Sequence, residues 1–195
     1  MLLVAAAFLG LILGPLTGGD LWAITRVRVR WPLVVLIALV IKELGERTPL
    51  SQVQGFDPAV YTASLTVLVL WTICHVRALP GVWIVTLGMA LNLAVVIANG
   101  AHMPVTPEIA RYGPPQIFEH GTLGQYVLQN AHTQLAFLDD RIPLPGVLND
   151  WLHEAYSVGD LVATLGMFVL GLLLSRLPAA PDEQPAQAEG SMTAA

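Results

Sequence analysis

Five apolar runs constrain this chain more than any motif in it. They are Leu2–Leu16, residues 31–44, residues 60–76, Val82–Ala98 and Val158–Leu174. A hydrocarbon core about 30 Å thick takes about 20 apolar residues as a helix. The first, third, fourth and fifth runs hold almost no charge and are read as spans. The second turns polar after Ile41, at Lys42, Glu43, Glu46 and Arg47. Lys42 with Glu46 and Glu43 with Arg47 are opposite charges at helical spacing, which supports one continuous helix. Its long basic side chains can snorkel to an interface. A re-entrant or interfacial helix is the alternative.

Composition points the same way. Charged residues are 12% of the 195, against 55% hydrophobic, and a soluble domain carries about 25% charged residues. The expectation is therefore a membrane protein rather than a soluble enzyme or a disordered chain. A net charge of −5 offers no basic field for nucleic acid. The single Cys74 leaves no internal disulfide and no multi-cysteine metal cluster.

The arginines then suggest an orientation. Arg26, Arg28, Arg30, Arg77 and Arg176 fall on one side if every run crosses, while the short loop opposite has only Lys42 and Arg47. The positive-inside rule puts the N-terminus outside and the C-terminus in the cytoplasm, in a multi-pass cell-membrane protein. Leu2–Leu16 lacks both the basic start and the cleavage site of a signal peptide, so it is expected to remain as a span. The expected fold is an all-α integral membrane protein, a bundle of five transmembrane helices. Its spans are about 2–18, 31–47, 60–76, 82–98 and 158–175. A structured extracytoplasmic cap at 99–157 lies between the fourth and fifth, and a disordered cytoplasmic tail at 177–195 follows the 1–176 membrane domain.

Ala6, Gly10, Gly14 and Gly18 recur every four residues, a spacing that lets helix backbones approach closely, within the bundle or in a homodimer. Two polar stripes follow helical periodicity: Gly88, Asn92, Val95 and Asn99, and Asp160, Thr164, Met167 and Gly171. They read as interhelical hydrogen bonding or as the wall of a polar cavity. Asp160 can cap its helix, pair with a neighbour or handle a proton.

In the cap, helical turns are expected at 107–111 and 122–129, and an amphipathic interfacial helix at 147–156 with Trp151 on its apolar face. Four of the five histidines lie here: His102, His120, His132 and His153. Their spacing fits no metal motif, and His153-Glu154 lacks the later histidine of a zinc protease. Asp139 and Asp140 could supply a carboxylate pair for acid–base work or cation binding. Neighbours in sequence diverge in direction, however, and Arg141 is at hand to neutralise one, so they read as structural electrostatics. No phosphate loop or dinucleotide fingerprint is present, so neither metal nor cofactor is expected.

Three segments carry a resemblance. Asn99-Gly100-Ala101-His102-Met103-Pro104-Val105, then Phe137-Leu138-Asp139-Asp140-Arg141-Ile142-Pro143-Leu144-Pro145, then Ser157-Val158-Gly159-Asp160 resemble N-G-G-x-M-P-V, L-x-D-x-I-P-L-P and S-x-G-D. Those motifs belong, in that order, to an uncharacterised family of small bacterial multispanning membrane proteins. Ala101 departs from the pattern where the second glycine stands. The resemblance implies a membrane fold and a special role for the outer segment, and brings no activity with it. It nominates Asn99, Met103, Asp139 and Asp160, which with Asn92 form the candidate ligand or structural cluster.

The leading functional expectation is a non-enzymatic membrane component that binds a partner or small ligand. Its partners would be the lipid bilayer and another membrane protein met through helix faces. One alternative is a small solute or ion transporter using Asn92, Asn99, Asp160 and Asp139. The other is an interfacial enzyme acting on a lipid or isoprenoid, which requires His102, His132, Asp139 and His153 to converge.

Overall fold

The computed structural model describes residues 2–27, 29–47, 53, 55–111, 116–143 and 155–177. Each apolar run becomes a helix. Helix α1 (Leu2–Leu16) stops one residue after its own Pro15, which cannot donate to the helical ladder and crowds the preceding turn. A 3-10 turn (Leu21–Arg26) follows, opened by Asp20, whose side chain accepts the Trp22 N–H. Helix α2 (Pro32–Arg47) starts on proline, where the missing N–H costs nothing. Helix α3 (Phe56–His75) and helix α4 (Val82–Ala98) come next. Beyond the end of α4 comes Gly100, whose φ of +67° lets the chain turn left-handed away from the helix.

Between α4 and the last long helix lies a folded insert. Strand β1 (Met103–Val105), helix α5 (Pro107–Ala110), helix α6 (Gln116–His120), strand β2 (Thr122–Leu123) and strand β3 (Tyr126–Leu128) come in turn. A 3-10 turn (Ala136–Leu138), strand β4 (Ile142–Pro143) and strand β5 (Ala155–Tyr156) complete it. Helix α7 (Val158–Leu174) closes the described fold. One sheet runs β1-β3-β2, with β1 parallel and β2 antiparallel to β3. The other is the antiparallel pair β4 and β5.

The long helices stand in the row α2–α3–α4–α7–α1, so α7, last in sequence, is flanked by α4 and α1. Small residues set that geometry. A Cβ on Gly88 of α4 would overlap Gly159 O and Ala163 N of α7, and one on Gly166 would meet Val85 N. On the other side, Gly10 of α1 backs onto Phe168 O, and Gly171 of α7 onto Ala7 O. Backbones this close gain dispersion contacts that larger residues would forfeit. Beneath the insert, Leu65, Val95, Val96, Met103 and Leu138 form one apolar core.

This architecture corrects the five-span all-α bundle. Among the described residues, α3 alone combines 18 or more residues with an apolar window suited to crossing a membrane. Helices α1, α4 and α7 are apolar but have 15, 17 and 17 residues. At 1.5 Å per residue they reach roughly 22–26 Å, short of a core of about 30 Å. Helix α2 has 16 residues and ends in its charged stretch. The insert adds two β-sheets where only helices were expected. The multi-pass topology with its outside and cytoplasmic ends falls with the bundle. So do the bilayer and a membrane protein as partners, and the accessory, transporter and interfacial-enzyme readings built on that bundle. The apolar residues instead supply helix-to-helix burial around polar groups that are themselves buried and bonded, such as Thr72, His75, Asn92 and Ser157. Large apolar side chains also face outward, notably Leu33 and Leu36 on α2 and Phe8 and Ile12 on α1.

Smaller corrections follow. Residues 122–129 form the β2–β3 hairpin rather than a helical turn. Ala155 and Tyr156 are a strand rather than the end of a helix. The remainder of the expected amphipathic helix and the tail from 178 onward lie outside the described residues. Gly18 lies past the end of α1 with open space around it, while Gly10 and Gly14 are buried and Ala6 is half-buried.

Candidate functional site

Ser157 precedes the first turn of α7 and is fully buried. Its hydroxyl accepts the Asp160 N–H at 2.9 Å, and Asp160 Oδ2 accepts the Ser157 N–H at 3.0 Å. This reciprocal capping box satisfies two helix-end donors. Asn92, one turn along α4 from Gly88, enters the same arrangement. Its Nδ2 donates to Asp160 Oδ1 at 2.8 Å, while its Oδ1 is 2.8 Å from the Ser157 hydroxyl. That hydroxyl has one proton and two acceptors in reach, Asn92 Oδ1 and Asp160 Oδ2 at 2.9 Å. The three side chains thus form a closed ring across the α4–α7 seam. Gly159 makes room for it, since a Cβ there would overlap Asn92 Oδ1.

The insert brings further carboxyls to this end of the helices. Asp139, fully buried, accepts Arg141 Nε at 2.6 Å and Nη2 at 3.3 Å. Arg141 also donates to Ala136 O, so that ion pair is locked to its own turn. Asp140 lies beside it with a different environment. Its N–H donates to Pro104 O at 3.0 Å and its carbonyl accepts the Thr106 N–H at 3.3 Å. This pins its backbone along the open edge of β1. The Asp140 side chain is buried, at 7% exposure, and its Oδ1 has no hydrogen-bond partner among the described residues. Burial raises its pKa well above the ordinary aspartate value, and the nearby Asp160 and Asp139 raise it further.

The predicted residues therefore separate. Asn92 and Asp160 meet directly. Asn99 uses its whole amide structurally: Nδ2 donates to Val95 O and Gln134 O, and Oδ1 accepts the Gln134 N–H, each at 2.9 Å. It ties the insert to the end of α4. Met103 is an apolar core residue. Asp139 is neutralised by Arg141. Ser157 and Asp140 are the site residues that lay outside the nominated cluster. Ser157 carried a usable signal, because Ser-x-x-Asp ahead of an apolar run is a capping pattern. Asp140 carried one too, since L-x-D-x-I-P-L-P laid on residues 138–145 puts its aspartate at Asp140, one position after the nominated Asp139, although nothing in Asp139-Asp140-Arg141 says which aspartate the arginine takes. No group of three His, Cys, Asp or Glu suited to a metal occurs among the described residues. His102 bonds Gly100 O, and His120 and His132 are exposed.

The arrangement offers one kind of chemistry. Three carboxyls gather at this end of the helices, Arg141 pairs with Asp139 alone, and Asp140 Oδ1 is buried without a donor among the described residues. Comparison with curated proteins and with solved structures finds no match for the chain. The profile of a family of unknown function (DUF5317) matches residues 26–172, a stretch that takes in α2, the whole insert and nearly all of α7. The chain belongs to that family.

Proposed function

We propose that this protein binds a small organic cation bearing an ammonium group, and that Asp140 anchors it. The single observation that carries this reading is the buried, unpartnered Oδ1 of Asp140. An acceptor withdrawn from water without a donor costs about 1–3 kcal/mol, and an N–H of a ligand would remove that cost. The neighbouring carboxyls cannot serve instead. Both oxygens of Asp160 are taken by Asn92 and Ser157, and those of Asp139 by Arg141. The surplus of carboxyls favours a positive ligand over a neutral one. Half-buried Asp160 gives the site an edge toward the surface. The segments that carry the N-G-G-x-M-P-V, L-x-D-x-I-P-L-P and S-x-G-D resemblance all border this site. On this reading the motifs build it: Pro104 holds Asp140, Asp139 removes Arg141 from it, and Ser157 with Asp160 forms its wall.

The test is thermal unfolding with methylammonium chloride against sodium chloride at equal ionic strength. The expected result is a higher melting temperature with methylammonium for the natural protein, and none for Asp140→Asn. An equal shift in both proteins would remove Asp140 from the site.

A further inference from the structure

Resting on the site just described, we propose that the cation enters in exchange for a proton, so that binding and proton release are one event at Asp140. The geometry supplies the reason. A carboxyl enclosed beside two others, with no donor at Oδ1, can keep its negative charge only if a positive group arrives with it. Without the ligand, a proton fills that role. The charged groups facing Asp140 are Asp160 on α7 and Asp139 on its own turn, and Arg141 is already committed to Asp139. Helix α4 and strand β1 carry no charged residue; β1 meets the Asp140 backbone through the Pro104 carbonyl, and Asn92 of α4 bonds Asp160 and Ser157. Among the described residues, no cation other than the committed Arg141 is shown beside this group to compensate a second negative charge.

The exchange balances. The O–H bond of the Asp140 carboxylic acid breaks, its proton passes to solvent, and the electron pair stays on the carboxylate. That carboxylate then accepts an N–H of the ammonium ion, which keeps its own protons and its charge. Nothing is oxidised or reduced.

The experiment measures the dissociation constant for methylammonium from pH 4.5 to 8, through the ligand-induced rise in melting temperature. Methylammonium stays charged across that range. The expected plot rises about tenfold in affinity per pH unit on its acid limb and then levels off, as required when one proton is displaced. Asp139→Asn removes one like charge from beside Asp140 and releases Arg141, and both changes should move the bend to lower pH. Binding that is flat with pH would overturn the exchange and leave the cation site standing. No binding at any pH, in protein that melts cooperatively, would overturn the site and the exchange together.

Discussion

At the scale of single residues, Asp140 has a consequence for stability that needs no ligand. The folded protein holds this proton to higher pH than the unfolded chain, whose aspartates titrate near pH 4. Below that pH both states are protonated and the residue makes no difference. As pH rises toward the folded value, the unfolded state ionises first and is favoured, so stability falls through this window. Asp140→Asn should therefore raise the urea midpoint at neutral pH, with the gain vanishing toward pH 4. A variant whose deficit or gain is constant with pH would contradict this assignment. Ala101 offers a second case. It sits at φ +69°, directly after Gly100 at +67°, and an L-residue with a Cβ pays about 1–2 kcal/mol there. Ala101→Gly relieves this while loosening the unfolded chain, so a net gain of up to about 1 kcal/mol is expected in equilibrium unfolding. Loss of stability would mean the Ala101 methyl group packs more than its backbone strains.

At the scale of elements, the α4–α7 seam depends on what is missing from Gly88 and Gly159. Gly88→Ala places a methyl group against Gly159 O and Ala163 N, backbone atoms that cannot swing aside. A destabilisation of about 2–3 kcal/mol is expected, read by the chemical-denaturation midpoint. A neutral result would show the two helices free to separate. The helices themselves were legible in sequence because apolar runs bounded by Pro, Gly and charge mark them locally. Their sufficiency as spans was not: α1 stops just after Pro15 at 15 residues, α2 runs through its charged stretch to Arg47 yet has 16, and a run of the right hydropathy does not report its helical span. The sheets were not legible. Strands of two or three residues show no alternation, and β1 pairs in parallel with β3 across 23 positions of chain, from Met103 to Tyr126. Of the site, Asn92 and Asp160 stood out as polar groups within apolar helices. Asp140 was marked only as the aspartate of L-x-D-x-I-P-L-P, and its isolation was not legible, since the backbone bonds to Pro104 and Thr106 that fix it are made far along the chain.

At the scale of the whole molecule, α7 is held from two sides by different parts of the chain. Its α4 face, with Gly159, Ala163 and Gly166, belongs to the stretch matched by the family, whereas α1 lies before residue 26. The α1 side is closed by Gly10 against Phe168 O, by Asp20 N–H on Ser175 O at 2.6 Å, and by Arg176 on Thr17 at 2.7 Å. These contacts join the two ends of the described fold, and none touches Asn92, Ser157, Asp160 or Asp140. The ring and the carboxyl site should therefore survive the loss of α1 packing. Gly10→Val is the probe, because its side chain would press on a backbone carbonyl and push the helices apart. The expected protein is cut by trypsin at the arginines of residues 26–30 faster than the natural one, as docking of α1 weakens. It should nevertheless keep the acid-side pH dependence of stability that Asp140 produces. If that dependence disappears with α1, then α7 needs both neighbours to hold Asp160 in place, and the fold is a single cooperative unit rather than a site-bearing body with a docked first helix.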